Sequence, residues 1–148
     1  MTRSIVQQIY RITSTALACA LSLNVNVARA DVVAVVSSKS QITTLSKNQI
    51  IDIFLGKRTR FPDGSSAIPI DQAEGSVARV EFYTRVADMS AAQVKAFWAR
   101  IIFTGRGQPP RTVATSLEAK RLVVEDTNAI TYIDQDLVDS SVRVVLTP

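Results

Sequence analysis

The run Asp31-Val32-Val33-Ala34-Val35-Val36 constrains this chain more than any other stretch. Valine is β-branched and stiff, and favours extended backbone. A strand with one wet face alternates apolar and polar side chains, and this run offers water no polar position after Asp31. It therefore predicts a strand buried on both faces, in a parallel or mixed sheet. The rest of the chain must then supply apolar cover on two sides.

Residues 1–30 read differently. Arg3 and Arg11 give a positive start, Ile12 to Leu23 is apolar and rich in Ala and Leu, and Ala28-Arg29-Ala30 is a small-x-small cleavage signal before Asp31. This is the pattern of a secretory signal peptide, which places residues 31–148 outside the cytoplasm, in the periplasm, as one domain. The apolar run is too short and wrongly flanked to span a bilayer, so no membrane span is expected. The alternatives are an N-terminal anchor or an ordinary first helix. Cys19 would carry a lipid only after a Leu-small-small triplet. Ala16-Leu17-Ala18 precedes it and apolar residues follow, which weighs against that anchor.

Removing the leader excludes several chemistries. Cys19 is the one cysteine of the 148 residues, and the chain has no histidine. Residues 31–148 therefore hold no disulfide, no thiolate or imidazole metal ligand, no cysteine nucleophile and no Ser-His-Asp triad. No metal or cofactor is expected. Arg3, Arg11 and Arg29 account for three of the 17 basic residues, so the net charge of +4 falls to +1 beyond residue 30. With no basic stripe interleaved with aromatics, nucleic acid is not an expected partner.

Further along, Ser46 and Gln49 form a capping box, with Leu45 placed to staple against Ile50. Ile50, Ile53 and Phe54 share a helical face that Gly56 stops. Lys57 to Ser66 reads as a basic, then turn-rich loop. Ala67 to Ile70 is a short strand, at an edge or beginning at Pro69. A helix follows Gly75-Ser76, with Val77, Val80, Phe82 and Tyr83 on its apolar side. Ser90 and Gln93 cap another, whose face is Val94, Phe97, Trp98, Ile101 and Ile102. Phe103 to Arg111 is a loop with two glycines and two prolines. Thr115 and Glu118 form a third capping box, and strands are expected at Ala129–Ile133 and Val142–Leu146. The class is α/β, a small mixed sheet covered by helices.

The segment Ile70-Asp71-Gln72-Ala73-Glu74-Gly75-Ser76-Val77-Ala78-Arg79 has the layout of an anion cradle: a strand end, a glycine and serine, then a helix whose N–H groups and dipole favour negative charge. The plainer reading of Ser76 is an N-cap without a ligand. Arg79 reads as a solvated surface residue. Arg106, between two glycines, is a candidate for recognition.

Taken in order, the helix ending Ile53-Phe54-Leu55-Gly56-Lys57, the strand, the Glu74-Gly75-Ser76 turn and Asn128-Ala129-Ile130-Thr131-Tyr132 resemble the phosphate-binding proteins of bacterial ABC transporters. The resemblance implies a type II periplasmic-binding-protein-like fold, of which this chain is a single lobe. It implies phosphate or a similar small oxyanion as ligand, at the positions of Glu74, Gly75, Ser76 and Gln72; Arg106, on its glycine-flanked loop, is a candidate to fold over the site in compensation. Gln72 stands where the family has an arginine, and Val77 and Ala78 where it has glycine and threonine, so the charged fork of the family is missing. A single lobe is an open shelf, which a homodimer or another closing protein partner would complete.

Two other functions compete. One is a secreted interaction module that keeps the fold without the anion and presents Gly105 to Arg111 to a protein. The other is an enzyme using Asp71 and Glu74 as paired carboxylates. With no nucleophile, histidine or metal set beside them, no catalytic residue is assigned and a non-enzyme is expected.

Overall fold

A computed structural model describes residues 31–148; the signal-peptide reading and Cys19 fall on residues 1–30, outside the described residues. β1 (Val32–Ser37) sits inside a five-stranded mixed sheet of order β3-β2-β4-β1-β5. It runs antiparallel to β4 (Ala129–Asp134), with Val36 opposite Ile130, and to β5 (Val142–Leu146), with Ala34 opposite Leu146. β2 (Ile68–Gln72) runs parallel to β4 and to β3 (Arg111–Val113).

Every residue of β1 is buried, and its alternation divides the core in two. Val32, Ala34 and Val36 pack with Ile50, Ile53, Phe54, Phe82 and Tyr132. Val33 and Val35 pack on the other face with Ile70, Ala119, Val123 and Ile133. Helices α1 (Lys47–Phe54), α2 (Val77–Ala87) and α3 (Ala91–Phe103) supply the first layer, and α4 (Ser116–Glu125) supplies the second. The doubly buried strand and the helix-covered mixed sheet expected from the sequence are both present.

The caps form largely as read. Ser46 and Ser90 make complete capping boxes with Gln49 and Gln93. Thr115 caps α4 through the Glu118 N–H, but the Glu118 carboxylate turns back to the Ala114 N–H at 3.0 Å, so the third box is not closed. The segment read as one loop from Phe103 ends in β3, whose three residues take their place from the ladder to β2.

Two helix faces differ from expectation. On α2, Val77 and Val80 are exposed, at 65% and 40%, while Ala78, Arg79, Phe82, Tyr83 and Val86 face inward. That stripe keeps helical spacing once Arg79 is counted as an inward residue. On α3, Val94 and Trp98 are buried, Phe97 and Ile101 are half-buried, and Ile102 lies outward at 55%.

Candidate anion site at the start of α2

β2 ends with Asp71 and Gln72 withdrawn from water. The chain then turns through Ala73-Glu74-Gly75-Ser76. The Ser76 N–H donates to the Ala73 carbonyl at 3.1 Å and Gly75 takes φ +87°. A positive φ at the third residue is the requirement of a type II turn, which glycine meets without strain. Ser76 Oγ then accepts from the Arg79 N–H at 3.2 Å and caps α2. Helix geometry leaves the N–H groups of Val77 and Ala78 without an intrahelical acceptor, at the positive end of the dipole.

Beneath this turn lies a network that the sequence did not reveal. Asp71 Oδ2 accepts from Arg79 Nε at 3.1 Å and from Tyr83 Oη at 3.0 Å. Asp71 Oδ1 accepts from the Gln72 N–H at 2.8 Å and from Tyr132 Oη. Arg79 also lies over the Tyr83 ring, 5.1 Å from its centroid. Burial is the largest single influence on Arg79 and works to lower its pKa, but the Asp71 charge and hydrogen bond, with smaller help from Tyr83 and Tyr132, together outweigh it, so the guanidinium is held above its ordinary value. Burial first, and the Asp71 charge next, push both the Tyr83 and Tyr132 phenols well above theirs.

The predicted site residues are therefore in different circumstances. Gly75 and Ser76 form the turn and the cap. Glu74 is exposed and pairs with Lys95 of α3 at 3.1 Å. Gln72 is buried, and its amide donates to Ser116 Oγ and to the Tyr132 carbonyl, both at 3.0 Å. Its donors are thus used within the protein, linking the end of β2 to the start of α4. Arg106 is exposed and lines a groove to which neither Gly75 nor Ser76 contributes. Gly75 borders a separate, shallow depression along the outer side of α2, with Val77, Val80 and Thr84.

Arg79 is corrected outright: it is 9% exposed and ion-paired, not a solvated surface residue. Asp71 and Glu74 are also not a working pair, because one is saturated with donors inside the fold and the other is tied to Lys95 at the surface. One signal for the network was available. Arg79 and Tyr83 stand four residues apart in the same inward stripe as Phe82 and Val86.

No protein-family model matches the chain, and no curated protein matches it. Solved structures do. A protein of Clostridium perfringens, assigned as a phosphate ABC transporter substrate-binding protein and solved with bound phosphate, superposes with a TM-score of 0.61 at 22% identity, over 78% of this chain and 44% of that one. An ABC-type phosphate transport receptor of Vibrio cholerae gives 0.61 at 19% identity, over 78% and 45%. PstS of Borrelia burgdorferi gives 0.54 at 12% identity, over 78% and 46%. The chain spans less than half the length of each of these proteins. Residues 31–148 thus have, as a single mixed-sheet lobe, the fold of the phosphate-transporter substrate-binding proteins that the sequence resembles.

Proposed function

We propose that this chain is a periplasmic solute-binding module that takes phosphate or a similar oxyanion at the Glu74-Gly75-Ser76 turn. One observation carries the reading: a glycine turn delivers the capped N-terminus of α2 to the end of β2, in a fold shared with phosphate-transport binding proteins. The ligand would sit on the Val77 and Ala78 N–H groups, helped by the helix dipole. Arg79 lies one turn below with its charge balanced by Asp71, so it supports the turn and does not clasp the anion. The site is open to water, and affinity should be weak until a second surface, from a homodimer or another partner, closes over it.

A second reading is a protein-docking lobe without an anion. It is favoured by the commitment of Gln72 and Arg79 to internal partners and of Glu74 to Lys95.

Calorimetric titration of phosphate into the purified protein, with sulfate beside it and a Ser76→Ala variant, separates the two. Saturable heat that weakens with the substitution supports the anion site. Silence at millimolar phosphate supports the docking lobe.

A further inference from the structure

Away from that turn, a groove of about 600 Å³ opens between the Gly56–Thr59 bend, the start of β2 and the segment following α3. Its apolar wall is Ile53, Phe97, Trp98 and Ile101. Its rim carries Lys57, Arg58, Arg106 and Arg111, and among the described residues no acidic side chain lines it. All four cations are exposed. Among the described residues, Arg58, Arg106 and Arg111 have no carboxylate within ion-pair distance, and Lys57 has only Asp52, at 3.9 Å.

The local sequence builds the rim on purpose-shaped turns. α3 ends with the Gly105 N–H on the Ile102 carbonyl and the Arg106 N–H on the Ile101 carbonyl, with Gly105 at φ +65°. That is a Schellman stop, and it fixes where Arg106 leaves the helix. Trp98, in the same wall, has its Nε1 buried with no acceptor among the described residues, where buried donors ordinarily have one.

We infer that this groove is a second binding site, for a small amphiphile with an anionic head and an apolar body. The head group meets the arginine rim and the body lies against Trp98 and its neighbours. A volume of about 600 Å³ falls within the range of small-molecule sites, which combine apolar walls with a few placed polar groups. The one-signed rim selects the charge of the head. This site is independent of the oxyanion reading, because neither Gly75 nor Ser76 lines it.

Trp98, the only tryptophan of the chain, is a built-in reporter. The full protein is titrated with decanoate below its micelle concentration, with decyltrimethylammonium as the cationic counterpart and inorganic phosphate as the headgroup-only control. Decanoate should change Trp98 emission saturably. The cationic amphiphile should bind roughly tenfold more weakly or worse, the scale of one lost charge-assisted contact. Phosphate should not displace decanoate. An Arg58→Gln/Arg106→Gln variant, altered at two exposed positions, should keep its melting temperature and lose decanoate affinity to a similar degree. Equal binding of the two amphiphiles, or decanoate binding unchanged in the double variant, would overturn the proposal. So would saturation only by an acidic peptide such as oligoglutamate, which would make the groove a protein-docking surface.

Discussion

Arg79 Nε donates to Asp71 Oδ2 at 3.1 Å, and the two side chains are only 11% and 2% exposed. The pair joins the end of β2 to the first turns of α2, so it holds the Glu74-Gly75-Ser76 turn from beneath. Two phenols and a backbone N–H occupy the rest of the carboxylate. Four donors on one buried carboxylate make the arrangement cooperative and leave little tolerance for losing a member.

Removing one partner should therefore be costly. Asp71→Asn leaves the Arg79 guanidinium buried without its counter-ion, a change worth about 3–5 kcal/mol. Urea unfolding of the variant should show that loss in its midpoint. The double substitution Asp71→Leu/Arg79→Met should recover a large part of it, because a well-packed apolar pair needs no counter-ion.

The phenols predict the alkaline limit of stability. Tyr83 and Tyr132 have pKa values raised above the ordinary 10.0 by burial and by the Asp71 charge. The folded state then keeps protons that the unfolded chain releases. Their contribution is fully present below about pH 10 and is lost as pH rises beyond it. Urea midpoints should accordingly hold up to about pH 10 and fall progressively as pH rises above it. Phenolate absorbance from these two residues should rise only with unfolding; ionisation near pH 10 in the intact fold would contradict this.

Gly75 should be needed for its backbone alone. A Cβ there would meet nothing within 4 Å among the described residues, yet φ is +87°. Gly75→Ala should cost about 1–2 kcal/mol with no steric component, read as a lowered urea midpoint at unchanged slope.

Val77→Pro offers a cleaner probe of the anion site. Val77 is the first residue of α2, where proline is tolerated because that N–H has no helical acceptor. Ser76 already has the extended backbone that proline asks of its predecessor, at φ −64° and ψ 142°. Stability should change by no more than about 0.5 kcal/mol, while phosphate affinity falls by roughly threefold to tenfold with the loss of one donor.

The physical divide between what could be read and what could not runs through particular residues. Ser46 with Gln49, Ser90 with Gln93 and the valines of β1 are local or periodic signals, and the fold uses them as written. β3 has three residues and exists only through its ladder to β2, so local pattern could not find it. The burial of Arg79 is not legible in the sequence, because exposure is the usual state of an isolated charge and its partner lies at the end of another element. Glu74, Gly75 and Ser76 carry the local signal of a turn entering a helix, and the fold forms it. Resemblance groups Gln72 with them and the glycine-flanked loop suggests Arg106, but the sheet turns Gln72 inward and the end of α3 carries Arg106 to another groove.

The most direct test of the oxyanion site follows backbone amide resonances of the labelled protein as phosphate is added. The account predicts saturable shifts centred on Gly75, Ser76, Val77 and Ala78, diminished in Val77→Pro. Resonances that stay still at those four residues, or shifts confined to Lys57, Arg58, Arg106 and Arg111, would contradict it.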